Sequence, residues 1–167
     1  MKDAGLIALK VGLIGAVILL LLFVAMSFLI EGDIDDYRNK PHDWISDDIG
    51  FFWLLAYYGI SIIIIFVSGP ASTLAAQARI RTNKEALAVP AIACTAEVVL
   101  SIAAIMIYGA ALSAGNLLPY FRDIYTYQIT PMFFLYISTI IGCVIISVLF
   151  GYLLYAARKS ISGKFPG

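Results

Sequence analysis

The chain has 167 residues, 62% of them hydrophobic and 13% charged, and its basic and acidic residues balance to a formal charge of zero. Soluble domains carry about 45–50% apolar and about 25% charged residues, so a water-soluble fold of this size cannot hide so much apolar surface and lipid must solvate it. The zero balance argues against a nucleic-acid partner.

Taken in chain order, the first apolar run is Leu6–Ile30, broken only by Lys10. It exceeds the about 7–15 apolar residues of a leader and no clean small-residue cleavage site follows, so it reads as a retained first span. Next comes an acidic stretch, residues 31–50, holding Glu31, Asp33, Asp35, Asp36, Asp43, Asp47 and Asp48. Clustered carboxylates can hold a hard cation, but the glycine and terminal glutamate of an EF-hand loop are not at the required places. A solvated loop is expected, with Asp47 or Asp48 capping the next helix and Asp43 closing a turn after Pro41.

The second run is Phe51–Ala78. Toward its end stand Ser68, Gly69 and Pro70. Pro70 has no N–H and its ring clashes with the Phe66 carbonyl, so a kink or loosened turn is expected at Gly69 and Pro70. A short link with Arg79, Arg81 and Lys84 leads to the third run, Ala86–Leu112, broken only by Glu97. Residues 113–131 follow, with Arg122 and Asp123. Within them, residues 119–128 read as a short interfacial helix or, through their aromatic side chains, as a docking patch. The fourth run is Met132–Ala157, and the tail carries Arg158, Lys159 and Lys164.

Each run exceeds the ~20 residues that cross ~30 Å of hydrocarbon, and in lipid a lone span must be helical to pair its own backbone. The expected fold is all-α: one membrane domain, a four-helix bundle with spans at 6–30, 51–78, 86–112 and 132–157. Lysine and arginine gather at the N-terminus, the 79–84 link and the tail, which places both termini on the cytoplasmic side of the cell membrane and loops 31–50 and 113–131 outside. Trp44, Phe51, Phe52, Trp53, Tyr57 and Tyr58, then Tyr120, Tyr125, Tyr127 and Tyr136, form an outer aromatic belt; Tyr152 and Tyr155 anchor the inner end of span four. No internal repeat supports an inverted-repeat transporter. The layout resembles that of claudin-like tetraspan proteins, although residues 31–50 lack the cysteine pair and tryptophan-bearing motif of that family.

Membrane helices pack through small residues. Ala8, Gly12 and Ala16 share one face of span one, and Thr139, Cys143, Ser147 and Gly151 one face of span four, since positions four apart lie together. On span three, Ala86, Pro90, Ala93, Cys94, Glu97, Ser101, Ala104 and Tyr108 make the inward stripe, while Val98, Val99, Ile102, Ile105 and Met106 suit lipid.

Glu97 stands out energetically. It lies ~16 Å into its span at 1.5 Å per residue, where a charge costs at least ~3 kcal/mol. By the same count Ser68, Ser147 and the Phe66 carbonyl lie level with it. A protonated Glu97 is therefore expected to donate to Phe66, and an ionised one to accept from Ser68 and Ser147. Lys10, nearer the cytoplasmic face, is expected to snorkel.

No catalytic, nucleotide-binding, metal or cofactor signature is present. Cys94 and Cys143 lie in apolar runs, and the single imidazole, His42, can supply neither a bis-histidine haem nor a convincing general base. The expected function is that of a non-catalytic accessory or assembly subunit of a larger membrane complex, with lipids and other subunits or copies of itself as partners. The alternative is an oligomeric proton- or cation-coupled transporter or channel built on Glu97, Ser68, Phe66 and Ser147.

Overall fold

The structure is a computed structural model that describes residues 2–39, 48–112 and 130–164, with side chains placed within 2–25, 56–107 and 137–161. The acidic cluster, His42, most of the outer aromatic belt and the interfacial stretch 119–128 lie outside the described side chains.

Four long helices follow one another: α1 (Lys2–Asn39), α2 (Asp48–Ala76), α3 (Asn83–Leu112) and α4 (Thr130–Lys164). No strand occurs among the described residues. By length and composition, Lys2–Ala25, Ala56–Arg79, Asn83–Ile107 and Ile137–Ile161 are each able to cross a membrane. The helices outrun the apolar runs. The stretch read from sequence as an outer loop at 31–50 is helical from 31 to 39 and again from Asp48, and α4 continues past Ala157 to Lys164. An apolar run marks where lipid can solvate side chains, whereas helical hydrogen bonding continues beyond that boundary.

The link between α2 and α3 is short and well satisfied. A 3-10 turn, Gln77–Arg79, carries the chain out of α2, and the Ile80 N–H donates to the Ala76 carbonyl at 3.2 Å. Thr82 and Glu85 then form a reciprocal cap: the Glu85 N–H donates to Thr82 Oγ1 at 3.2 Å, while Glu85 Oε2 accepts from the N–H groups of Arg81 and Thr82 at 2.8 and 3.3 Å. This is the capping-box arrangement that satisfies otherwise orphaned amides at a helix start.

α1 packs most extensively on α3, and α2 on α4; α2 and α3 also touch each other and both outer helices. The cross-section is thus a rhombus, with α2 and α3 on the short diagonal and α1 and α4 at the far corners. Its interior is smaller and more polar than its exterior. Inside lie Ala4, Ala8, Ala16, Ala76, Ala86, Ala93, Cys94 and Cys143 with seven buried polar side chains, while Leu6, Leu13, Ile63, Ile107, Ile141 and Leu153 are largely exposed. Water would disfavour that inversion and hydrocarbon favours it. Among the residues assigned to lipid, Val99, Ile102 and Met106 do point outward. Val98 does not: it packs, half-buried, against Leu19, Ile65 and Cys143.

At one end of the bundle the basic residues converge. Arg79 Nη1 pairs with Asp3 Oδ2 at 3.2 Å, linking the α2–α3 turn to the start of α1. Arg158 Nη1 donates to Gln77 Oε1 at 2.5 Å, linking the same turn to α4, and Lys159 Nζ lies 5.9 Å from the Tyr155 ring centroid.

Candidate functional site

Two apolar clusters divide the interior. One, toward the basic end, joins Ala4, Ala8, Ala76, Ile80, Ala86, Val89, Ala93 and Tyr155; the other joins Leu19, Ile65 and Cys143. On every helix the residues between them form a polar layer: Gly15 on α1, Ser68 and Gly69 on α2, Cys94 and Glu97 on α3, Ser147 on α4.

Half of this layer is a closed hydrogen-bond node. Pro70 sits inside α2, which remains helical through it, and its missing N–H frees the Phe66 carbonyl. The Ser147 hydroxyl of α4 donates to that carbonyl at 2.8 Å, with the Ile65 carbonyl at 3.2 Å. In turn Ser147 Oγ accepts the Gly69 N–H at 3.1 Å and Cys94 Sγ–H at 3.4 Å. The approach of α4 to α2 depends on Gly69, where a Cβ would collide with Ser147 Oγ. One turn on, the Gly69 carbonyl accepts from Ser72 Oγ at 2.7 Å and Thr73 Oγ1 at 3.1 Å. The backbone groups around Gly69 and Pro70 are therefore met by three hydroxyls, Ser72 and Thr73 of α2 and Ser147 of α4, as polar side chains do for prolines in membrane helices.

Glu97 occupies the other half and has none of this. It is fully buried, with 0% of its surface exposed, and neither carboxylate oxygen has a hydrogen-bond partner among the described residues. Ser68 Oγ, buried on α2, lies within electrostatic reach of the carboxyl without closing a hydrogen bond of acceptable geometry. On the α1 side the carboxyl is capped by Gly15: a Cβ there would lie 2.6 Å from the carboxyl carbon and 2.7 and 2.9 Å from its oxygens. The backbone of α1 is thus pressed flat against the acid.

The structure brings Phe66, Ser68, Ser147 and Glu97 to one level, but Ser147 and the Phe66 carbonyl bond each other rather than Glu97. Gly12, Ala8, Ala16, Ala93, Cys94, Ser101, Cys143 and Gly151 are all buried, while Thr139 is half-buried. Ser101 Oγ donates to its own helix, to the Val98 carbonyl at 3.0 Å. Cys143 Sγ–H donates across to the Ile62 carbonyl of α2 at 3.3 Å. Lys10 is exposed on α1. No group of three or more metal-ligating side chains occurs among the described residues.

No family model, curated protein or solved structure matches this chain. Its site is therefore read from geometry alone. Two parts of that geometry escaped the sequence reading. Gly15 lies beside the stripe of Ala8, Gly12 and Ala16, three residues after Gly12, and that spacing was the signal that it shares the same face. The hydroxyls of α2 recur four residues apart at Ser68 and Ser72, with Thr73 adjacent, the same stripe periodicity as on α4.

Proposed function

We propose that this chain is a small, non-enzymatic four-span subunit of the cell membrane. Its termini face the cytoplasm, it works alongside copies of itself or other membrane subunits, and its Glu97 takes up and releases a proton or small cation within the bilayer. The observation that carries this reading is the fully buried carboxyl group, neither of whose oxygens has a hydrogen-bond partner among the described residues. Buried polar groups are almost always hydrogen-bonded, and an exception calls for an explanation. Ionisable groups inside membranes mark ion pathways or proton relays by default. The neighbouring Ser147 node shows that this interior can satisfy polar atoms, which makes the contrast informative.

The orientation is supported by the gathering of Lys2, Arg79, Arg81, Lys84, Arg158 and Lys159 at one end of the bundle, in keeping with the positive-inside bias. The test is reconstitution into proteoliposomes with an imposed proton or sodium gradient. Wild-type protein is expected to dissipate one of the gradients, and Glu97→Gln to fall back to the leak of protein-free vesicles. Equal flux from both proteins would remove Glu97 from the pathway.

A second reading, a purely structural assembly subunit in which Glu97 is a neutral packing residue, draws on a different observation. The helices meet backbone to backbone at Gly12, Gly69 and Gly151, where an added Cβ would strike Ala93, Ser147 or Thr73. Such packing leaves little room for a path inside one protomer, so a conducting route would run between chains.

A further inference from the structure

Resting on the reading of Glu97 as an exchange site, we infer that the species exchanged is a bare proton and that α1 is the cover that must lift for the exchange.

The first support is space. Real Cβ atoms essentially never approach a neighbour within 3.0 Å, yet one placed on Gly15 would lie 2.6–2.9 Å from three atoms of the Glu97 carboxyl. The α1 backbone at Gly15 therefore lies close to the carboxyl and leaves less than a methyl group's space between them for a ligand shell on that side. The second support is the ligand supply. Hard cations such as calcium take about six to eight oxygens, and magnesium about six. Among the described side chains, Ser68 Oγ is the neutral oxygen that acts on the Glu97 carboxyl. The α2 carbonyls nearest this level are committed: Ile65 and Phe66 to Cys94 and Ser147, Gly69 to Ser72 and Thr73. A proton requires no shell. A neutral carboxylic acid needs one acceptor for its single O–H, and Ser68 Oγ is the hydroxyl that acts on it.

The third support is charge. On its own helix Glu97 has Cys94 one turn away, and α4 presents Cys143; both are thiols that feel the carboxylate. α2 offers Tyr57 and Tyr58 about three turns from Ser68, and the Lys10 of α1 is exposed. Among the described residues no cation faces the carboxyl, so nothing offsets the several kcal/mol of desolvation that an anion would incur.

The cover follows from how each helix is held at this level. α2, α3 and α4 are joined through Ser147 and Cys94, whereas α1 meets α3 here through the glycine backbone contacts of Gly12 and Gly15. Among the described residues at this level, displacing α1 breaks the fewest polar contacts while uncovering the acid.

The test uses the full chain in proteoliposomes and dicyclohexylcarbodiimide, an apolar reagent that adds to protonated carboxylic acids, with modification of Glu97 read by peptide mass spectrometry. Glu97 is expected to react at a rate unchanged by saturating sodium, lithium or calcium chloride. Saturable protection by any of these would overturn the proton assignment while leaving Glu97 as an exchange site; unchanged flux in Glu97→Gln would instead remove the underlying reading. Gly15→Ala is expected to speed the reaction about tenfold, the change that about 1.4 kcal/mol of overpacking produces. Gly5→Ala, whose Cβ meets only Ile92 Cδ1 at 3.9 Å, is expected to leave it unchanged. A wild-type rate in a folded Gly15→Ala would overturn the cover. Where that variant does not fold, amide exchange in the wild-type protein decides the cover: α1 must open before α3, and the reverse order overturns it.

Discussion

Ser147 supplies what Pro70 withholds. A proline in a membrane helix strands a carbonyl that no water can reach, and here a serine from another helix donates to it at 2.8 Å while accepting the Gly69 N–H at 3.1 Å. Ser147→Ala leaves the Phe66 carbonyl without the donor that replaces the missing Pro70 N–H, so it is expected to cost about 1–2 kcal/mol, read as a lower midpoint in detergent unfolding. Ser61→Ala provides the contrast. Its hydroxyl donates only to the Tyr57 carbonyl within its own helix, and its loss should cost less than about 0.5 kcal/mol. This scale also shows how far sequence reasoning reaches. Counting 1.5 Å per residue placed Phe66, Ser68, Ser147 and Glu97 at one depth, because depth is linear in residue number. Which of them bond depends on how each helix is rotated and how near it stands, and neither is written in a single span. Hence the Phe66 carbonyl was assigned to Glu97 and belongs to Ser147.

Within the helices, glycine separates into two kinds. Gly12 on α1 and Gly151 on α4 lie where a methyl would strike a neighbouring helix, whereas Gly142 on α4 faces open space. Gly12→Ala is therefore expected to destabilise by about 1–3 kcal/mol through overpacking against Ala93 and Ala96. Gly142→Ala is expected to be neutral or to stabilise by up to about 1 kcal/mol through helix propensity. Detergent unfolding of the two variants side by side checks both signs. The packing faces were legible because small residues repeat every fourth position on α1 and α4 and the apolar outer faces alternate with them. Helix ends were not, since helical hydrogen bonding continues past the last lipid-solvated residue, as α1 does from 31 to Asn39. The start of α3 was legible in principle: Thr82 followed three residues later by Glu85, just before an apolar run, is a capping signature.

For the molecule as a whole, the exposed surface of the described spans is largely apolar, and the polar layer around Glu97 is flanked by close glycine contacts. A chain of 18.2 kDa built this way is expected to be recovered in mild detergent as an assembly larger than one protomer; native mass measurement giving only the monomer would count against any route between chains. The exposed Asp3–Arg79 pair contributes little to this architecture, as exposed ion pairs are worth about 0–1 kcal/mol. The proline node has a consequence for synthesis. The carbonyl of Phe66 and the amide of Gly69 emerge with the second span, but the hydroxyl that bonds them arrives only with the fourth. A nascent chain holding three spans thus presents a polar defect to hydrocarbon, and hydrocarbon offers it no substitute. Release into the bilayer before residue 147 has entered is disfavoured, so the order of translation itself favours keeping the helices together until the last has joined.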